Sequence, residues 1–578
     1  MAVSIRLTED ERDVVNAVRI DEAWRLIEQL SKLVRGSGTD QERKAVNLIA
    51  DQLKSWGVQH QLHEPELLIS LPIRASLTVN GHPFVAKTPS MAVSTGPDGI
   101  TAQLTHISSA AATSVNDLFG AATGSGDVAG KFVLTEGLPM PGKVADLEAR
   151  GAIGVVCISP GERIHEGICT TIWGAPDLTS YRRKPNIPVV SVNKTDGRHL
   201  IELLRTGDLS ATIVAEHEER WRKIPVLVAE IKGNIEPERF VLLHGHLDSW
   251  HVGIGDNATG NATLLEVARV LGANRKKLAR TVRIAWWSGH SHGRYAGSTW
   301  FADNFANDLL RNCICHINCD SPGCRDATVF EDVYWTAEIE TFAKQAIQEL
   351  TGLDAHGRSP IRAGDISFNN LGISNFLMLS STMPEALREE RGLYAVGGCG
   401  GNIEWHTEAD TMEIADRDNL MRDMRLYAGA VVKAANQPRH PLDFRPAIDQ
   451  IVATLHEYER DIGSDLNLPA VLELSSQARA SLDALYRRTD AESTIAEARK
   501  GNDVLIKIGR ILVSLVYSSE GRYRQDPALT IPLLPDFAAA IKAKDSVAPG
   551  IYRTELTRAR NRLEGALMDV TELASTMA

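Results

Sequence analysis

The chain has 578 residues, of which 43% are hydrophobic and 24% are charged, and its formal net charge is −12. This length suits roughly two to four domains of ordinary size. The acidic balance argues against nucleic acid or an anionic membrane surface as the main partner, because both select for clustered lysine and arginine. We expect a small molecule, a peptide or a second copy of the chain as the partner.

Residues 1–12 contain acidic side chains and no apolar run, so they lack the charged-then-apolar plan of a secretory signal. No uninterrupted apolar stretch elsewhere is long enough to span a bilayer. We therefore expect a cytoplasmic protein.

The N-terminal part of the chain predicts two helices followed by a β-rich unit. Apolar residues recur at helical spacing between 21 and 57, interrupted by a turn-forming sequence at 36–40. Across 75–220, short β-rich runs alternate with glycine and proline, as in a compact unit inserted into another domain. The runs lie at residues 131–135, 154–158 and 187–191, and a helical stretch lies at 142–150.

Apolar strands and helical segments alternate after residue 224. The alternation predicts an α/β domain with a mostly parallel sheet over 221–440, completed by residues 1–74. In such sheets the carboxyl ends of the strands carry the chemistry. The predicted strands lie at 240–243, 282–286, 313–317 and 375–379, and the predicted helices lie at 262–271 and 339–350.

Residues 441–578 are mostly helical in pattern, with apolar residues three or four apart. We expect a helical packing module that carries no chemistry. Its predicted helices lie at 448–459, 470–488, 505–517 and 554–574.

Four of the seven cysteines crowd a short stretch around His316. A zinc cluster is one interpretation, but paired Cys-x-x-Cys units are missing from the stretch. We prefer reduced cysteines in and after a buried strand. The four are Cys313, Cys315, Cys319 and Cys324.

Five segments with metal-capable side chains fall at predicted strand ends of the α/β region. Each places such a side chain beside a small or turn-forming residue. A lone His-x-Asp segment is weak evidence of a metal site, whereas the ordered set is strong evidence. The segments are residues 244–248, 255–260, 288–298, 318–323 and 404–411.

His246, Asp256 and Asp320 offer one nitrogen and two carboxylates, a ligand set that leaves a fourth position open for water. An open position is typical of a catalytic site. Asp248 follows His246 by two residues on an extended strand, where it can orient the ligand or the bound water. His406 would approach from the far side, with Asp256 able to bridge to a second ion.

In these segments the chain resembles the co-catalytic zinc peptidases of metallopeptidase family twenty-eight, which include bacterial leucyl aminopeptidases, plasma glutamate carboxypeptidase and prostate-specific membrane antigen. The resemblance implies that His246, Asp256 and Asp320 form one metal site and that Asp256 and His406 form part of another. Asp248 matches the family's orienting aspartate. The implied metal is zinc, as one or two ions.

The resemblance extends to the other parts of the chain. It implies an α/β peptidase-type domain with a mostly parallel mixed sheet, an inserted protease-associated domain over 75–220, and a C-terminal helical domain over 441–578. That helical domain resembles the dimerisation domain of transferrin receptor relatives. A homodimer formed through it is therefore expected.

The chain departs from the family at 290–292. The family has a Glu-Glu pair, whose first member is the general base and whose second binds the second metal, but His290 and Ser291 stand at these positions and His292 follows. Two aspartates and two glutamates balance two divalent cations, whereas Asp256 and Asp320 alone balance one. A single-metal site is therefore a separate hypothesis, with an imidazole-rich second site as its alternative.

Three roles fit the two histidines. His290 or His292 is the general base or acid, since an imidazole titrates near working pH. Alternatively, one of them replaces the missing glutamate as a metal ligand. In the third reading both are structural and activity is lost, as in receptor relatives.

Three further residues are candidate substrate contacts. Arg294 and Tyr295 can bind a substrate carboxylate or the tetrahedral oxyanion, with a structural role as the alternative. Asp365 falls where the family has a loop near the substrate.

The sequence therefore predicts a metal-dependent hydrolase that cleaves an amide bond, in a peptide or a small molecule, through a metal-activated water. Whether it acts as an aminopeptidase or a carboxypeptidase stays open. One alternative is a non-peptide amidase or carbamoyl-type hydrolase. The other is a catalytically inactive receptor-like or scaffold-like homologue.

Overall fold

The computed structural model describes residues 6–109, 112, 114, 124–377, 379–463, 467–489 and 494–577. Part of the expectation about the N-terminal segment concerns residues 1–5, which lie outside this set. The strands are β1 (Gln59–His63), β2 (Glu66–Val79), β3 (His82–Phe84), β4 (Ile100–His106), β5 (Phe132–Glu136), β6 (Gly154–Ile158), β7 (Val189–Val192), β8 (Leu209–Lys223), β9 (Val226–Ile231), β10 (Glu236–His246), β11 (Arg280–Trp287), β12 (Cys313–Asn318), β13 (Phe330–Tyr334), β14 (Ala355–Arg358) and β15 (Asn375–Phe376).

Helices cover both sheets and form most of the C-terminal part. The α-helices are α1 (Glu9–Asn16), α2 (Ile20–Leu30), α3 (Asp40–Ser55), α4 (Pro141–Ala149), α5 (Lys194–Thr206), α6 (Thr259–Ala273), α7 (His290–Gly293), α8 (Ala296–Asn304), α9 (Ala306–Asn312), α10 (Glu340–Thr351), α11 (Glu385–Glu390), α12 (Arg417–Asn436), α13 (Arg445–Ile462), α14 (Leu468–Thr489), α15 (Ile495–Tyr517), α16 (Pro535–Ala543) and α17 (Pro549–Ser575). Among the described residues, no helix is both long enough and apolar enough to cross a membrane.

The sheet that positions the site has six strands in the order β1-β9-β11-β10-β12-β15. Its centre is parallel: β10 pairs with β11 and β12, and β12 pairs with β15. The β1 and β9 strands run antiparallel at the other edge. All six residues of β12 are buried, as expected for a strand with helices on both faces of its sheet. The predicted α/β class is confirmed, with a mixed sheet.

Register brings the ends of the central strands to one edge. His246 at the end of β10 lies opposite Trp287 at the end of β11, and His244 lies opposite Asn318 at the end of β12. The loops that follow these strands therefore meet at the same edge of the sheet, where parallel-sheet proteins place their ligands.

The second sheet has seven strands in the order β3-β2-β8-β4-β5-β6-β7. Its long antiparallel pair, β2 with β8, runs from Glu66 opposite Lys223 to Val79 opposite Ala211. This sheet takes in residues from 66 to 223, somewhat beyond the predicted insert of 75–220. The division into domains and the protease-associated fold of the insert stay predictions.

The predicted helices agree with the structure, with shifted ends. The predicted pair between 21 and 57 corresponds to α2 and α3, and the four helices predicted in the C-terminal part correspond to α13, α14, α15 and α17. The sequence pattern missed α16, whose nine residues bury few side chains. The strand predicted at 375–379 is shorter, since β15 ends at Phe376 and residue 378 lies outside the described set.

The four cysteines around His316 are buried and free of disulfide bonds, as preferred from the sequence. Cys313 and Cys315 lie within β12, and the Sγ of Cys319 and Cys324 contact backbone carbonyls. The His316 ring faces His244, with 3.0 Å between Nδ1 and Nε2. The four cysteines therefore lie in a buried strand and in the segment that follows it.

Candidate metal and active site

His246 stands at the centre of the group of side chains at the sheet edge. Its Nε2 lies 2.9 Å from Asp256 Oδ1 and 3.7 Å from Asp320 Oδ2. Its Nδ1 lies 2.8 Å from the backbone carbonyl oxygen of Asp248, which fixes the ring so that Nε2 faces the two carboxylates. The ring is 1% exposed, so the carboxylates and not water surround it.

Asp256 joins His246 to His406. Its Oδ2 lies 2.9 Å from His406 Nε2, and the Nδ1 of that ring lies 3.0 Å from the backbone oxygen of Glu166. Burial alone raises the pKa of Asp256, but the two imidazoles hold the pKa well below its usual range. The carboxylate therefore presents one oxygen to each histidine, which is the arrangement that a bridging ligand requires.

Asp410 supports the loop that carries Asp256. Its carboxylate accepts hydrogen bonds from the backbone N–H of Gly255 at 2.7 Å and of Asp256 at 3.0 Å. Burial raises the pKa of Asp410 to about 7. The sequence motif contained Asp410, four residues after His406, but its role was not recognised because it acts on backbone groups of a distant segment.

Arg35 holds the loop between His246 and Asp256 through hydrogen bonds to its backbone. Its guanidinium is fully buried and donates hydrogen bonds to the carbonyls of Leu247, Val252 and Gly253 at 2.9, 2.6 and 2.9 Å. These bonds hold the chain between His246 and Asp256 in place. No sequence signal pointed to Arg35, since it lies more than 200 positions before the residues that it contacts.

His290 lies against the same group. Its ring stacks on that of His246, with centroids 3.8 Å apart, and its Nδ1 lies 2.8 Å from Asp365 Oδ2. Ligand-capable atoms of His246, His290 and Asp320 lie within 4.8 Å of one another. Because Asp365 takes Nδ1, the free atom of His290 is Nε2.

His292 points the other way, although it is only two residues along. Its Nδ1 lies 2.9 Å from Ser37 Oγ and its ring lies against Trp250, with centroids 4.2 Å apart. Burial lowers the pKa of His292 to about 4. The ring is not among the groups that line the cavity, so the geometry separates the two histidines that the sequence left as competitors.

The Asp248 carboxylate holds the backbone of the 290–291 turn. It accepts hydrogen bonds from Ser37 Oγ at 2.5 Å, from the Ser291 N–H at 2.8 Å and from the His290 N–H at 3.3 Å. Its Oδ1 is 3.8 Å from His246 Nδ1, too far for a hydrogen bond but within the range of an ion pair. The Asp248 carbonyl makes the hydrogen-bond contact with His246, the side chain also holds His290 and Ser291, and the orienting role stays a prediction.

A cavity of about 70 Å³ opens over these residues. His290, Ser291, Asp256, Asp320 and His406 line one part of it, and the insert contributes Leu138, Pro139, Met140, Glu166, Gly167 and Ile168. No sequence pattern indicated that residues from 138 to 168 line the site, because they are remote along the chain from the other lining residues.

Arg294 and Tyr295 line the cavity, as expected of substrate contacts, whereas Asp365 does not. Asp365 is 1% exposed and lies behind His290, where it also accepts a hydrogen bond from Ser298 Oγ at 2.6 Å. The expectation that Asp365 contacts substrate therefore needs correction: the His290 ring stands in front of it.

The donor set fits a divalent transition metal: ligand-capable atoms of His246, His290 and Asp320 lie together, and Asp256 Oδ1 lies 2.9 Å from His246 Nε2. Burial lowers the pKa of His246, yet the carboxylates of Asp256 and Asp320 raise it well above its ordinary value, which shows that this position favours positive charge. Ser291 lines the same cavity as His406 and offers a hydroxyl in place of a carboxylate. Glu166 is engaged elsewhere, 3.1 Å from Lys87 Nζ and 3.3 Å from His251 Nε2.

Comparisons with known proteins match the part of the chain that holds these residues. Residues 227–431 match the family model described as Peptidase family M28. The chain is 32% identical to aminopeptidase NAALADL1 of Mus musculus over 133 residues, which are 22% of this chain and 17% of the relative. It is 25% identical to leucine aminopeptidase 2 of Arthroderma otae over 289 residues, covering 49% and 53% of the two chains. The matches thus span less than two thirds of these relatives.

The fold is shared with solved structures. A zinc aminopeptidase from Bacillus subtilis, BSAP, superposes with a TM-score of 0.53 at 22% identity, covering 72% of this chain and 95% of the other. At that level of identity the likeness concerns the fold.

Proposed function

We propose that this chain, whose residues 227–431 match the family model described as Peptidase family M28, hydrolyses an amide bond in a peptide or small molecule with the help of a bound metal ion. The observation that carries the proposal is that Asp256, Asp320 and His290 line one cavity and that all three lie close to the buried ring of His246. The names of the aminopeptidase relatives support the same reaction class.

His246, Asp256 and Asp320 would hold the ion. A zinc ion there supplies Lewis-acid chemistry: it polarises the substrate carbonyl and lowers the pKa of water toward neutrality. We propose a single tightly held ion, since the Asp256 carboxylate near His406 is shared with His246 and the Glu166 carboxylate is held by Lys87 and His251. Elemental analysis that finds two tightly held ions per chain would contradict this part of the proposal.

His290 is the proposed general base and acid. It takes a proton from the attacking water through Nε2 and gives a proton to the leaving amine. Asp365 positions the ring by accepting the Nδ1–H at 2.8 Å, which leaves Nε2 as the acceptor. The alternative role, His290 as a further metal ligand, uses the same nitrogen, so the two roles are separated by metal content.

The test measures turnover and metal content together. Protein loaded with zinc is assayed on aminoacyl arylamides, dipeptides, N-acyl amino acids and simple amides, before and after a chelator. We expect turnover that disappears with the metal and returns on adding zinc. His290→Ala is measured beside it: retained zinc with lost turnover supports the base, whereas lost zinc supports the ligand.

A second candidate is a hydrolase of small non-peptide amides, favoured by the replacement of the general-base position by His290, which suggests a changed substrate chemistry. It is supported if simple amides turn over and dipeptides do not. If the protein contains no metal as purified and turns over none of these substrates, the result would instead support the scaffold-like alternative and contradict the proposal.

We also propose a homodimer formed through the C-terminal helices over 441–578. Ile551 and Met568 on α17 support it, since they are apolar side chains exposed by 61% and 53%. Light scattering coupled to size exclusion tests it: a monomer at micromolar concentration would contradict the dimer. A cytoplasmic location is likewise a proposal, supported by seven cysteines without a disulfide.

A further inference from the structure

Arg294 has a buried charge that the protein does not neutralise. The residue is 4% exposed, lines the cavity beside His290, and makes one hydrogen bond, 3.3 Å from its guanidinium to the Ile168 carbonyl. Its Nε is buried with no hydrogen-bond partner among the described residues. Among the described residues, no carboxylate oxygen lies within 4.0 Å of the Arg294 guanidinium nitrogens, so the charge has no ion-pair partner there.

Three of the other buried arginines of the described chain show what complete bonding looks like. Arg35 donates to three carbonyls at 2.6 to 2.9 Å, and Arg280 donates to the Glu236 carboxylate at 2.7 Å and to two carbonyls at up to 3.0 Å. Arg510 reaches four carbonyls. Arg362 donates through Nη2 to the Asp526 carbonyl and to Gln525, and its buried Nε, like that of Arg294, has no hydrogen-bond partner among the described residues. Arg294 makes the fewest side-chain hydrogen bonds of the five.

An unpaired buried cation is costly, so its retention needs a reason. Burial lowers the pKa of Arg294, and the groups that oppose this effect are the Tyr295 hydroxyl and the Cys169 thiol, which carry no charge at neutral pH. The guanidinium has a planar fork of donors that matches a carboxylate. A carboxylate that enters the cavity supplies both the missing charge and the missing acceptors.

We propose that Arg294 binds a carboxylate of the substrate, so that the hydrolase acts on small amides that carry a free carboxylate close to the scissile bond, such as dipeptides or N-acyl amino acids. This inference rests on the proposed function and deepens it by naming the substrate class. Arg294 follows His290 by four residues and lines the same cavity, which puts the anionic group beside the reacting amide.

The kinetic test uses matched substrates, so it needs no variant to begin. Zinc-loaded protein is assayed on Ala-Ala and on Ala-Ala amide, which differ in the terminal carboxylate. We expect kcat/KM to favour the carboxylate by about 10- to 100-fold, the range for a hydrogen bond to a charged group. Ala-Glu amide and Ala-Gln amide form the second pair, and the pair with the larger ratio identifies an α-carboxylate or a side-chain carboxylate.

Variants then assign the preference to Arg294. Arg294→Met should bring the ratio for the favoured pair close to one, and Arg294→Lys should keep part of it because the charge remains. Arg358→Met is the matched control: Arg358 is exposed on β14, outside the cavity, and its loss should leave the ratio unchanged. Equal kcat/KM for both members of each pair, or an unchanged ratio in Arg294→Met, would overturn the proposal.

A binding measurement separates this proposal from the proposed function. Isothermal titration of zinc-loaded protein with N-acetylglycine and with its amide requires no turnover. We expect the carboxylate to bind about 10- to 100-fold more tightly, with the difference lost in Arg294→Met. If the difference persists in Arg294→Met, the carboxylate binds elsewhere, for example at the metal, and the proposal fails. Absence of hydrolysis together with the expected binding would reject the proposed function alone.

Discussion

The two sides of the turn at 290–294 satisfy their polar groups in opposite ways. On its inner side, Asp248 receives three hydrogen bonds and His292 bonds to Ser37. On its cavity side, Arg294 makes one long bond and His290 keeps one nitrogen free. Polar groups that are buried without partners reduce stability, and proteins retain them where a ligand completes them. The inner side therefore serves the fold, and the cavity side serves binding and reaction.

The largest effect is expected from Arg35, a fully bonded arginine that holds the loop between His246 and Asp256. Arg35→Met leaves the carbonyls of Leu247, Val252 and Gly253 buried without donors. We expect the free energy of unfolding to fall by about 3 kcal/mol or more. Denaturant unfolding measures it, with the exposed Arg25→Met as control. A loss similar to that of the control would break the comparison.

The next effect contrasts the two histidines. His290→Ala should lower turnover by at least about a hundredfold because the proposed base is removed. His292→Asn should keep turnover within about tenfold of the wild type, yet lower stability by about 1 to 3 kcal/mol, because a buried bonded group is lost. Turnover and thermal unfolding are measured on both variants. The opposite ranking of turnover would assign the chemistry to His292.

A smaller effect of opposite sign is expected from Arg294. Arg294→Met removes a desolvated charge that makes one bond, so we expect the free energy of unfolding to rise by about 1 kcal/mol in the absence of substrate. Denaturant unfolding beside Arg35→Met sharpens the comparison, since the same substitution should have opposite effects at the two arginines. A loss of several kcal/mol would mean that Arg294 is structural.

The smallest effect is expected at His440, which lies outside the 290–294 turn and tests the pH dependence of stability. His440 is buried with neither ring nitrogen bonded within the described residues, and burial together with Arg280, Arg239 and Arg510 lowers its pKa well below 6.5. Below pH 6.5 the unfolded state binds a proton that the folded state does not, so stability falls as pH falls. His440→Gln should remove about 0.8 kcal/mol of the loss between pH 7.5 and pH 6. Equal losses in both proteins would contradict the assignment.

The repeating local patterns of the sequence predicted many of the helices and strands and the order of the metal-capable segments. Helical spacing identified α2, α3 and the long C-terminal helices, because an apolar stripe must face a core. The alternation after residue 224 indicated the α/β sheet, and strand ends carrying His246, Asp256 and Asp320 indicated its active edge. A missed helix such as α16 is short and buries little, so its stripe is weak.

The sequence by itself determined the residue types at the site and the loss of the two carboxylates at 290–291. Only the tertiary structure decided what each residue faces. His290 and His292 have the same chemistry and nearly the same position in the sequence, and their roles differ because α7 turns one toward Asp365 and the other toward Ser37. Likewise, an unpaired arginine is recognisable only once its surroundings are known, since burial and missing partners come from segments distant along the chain.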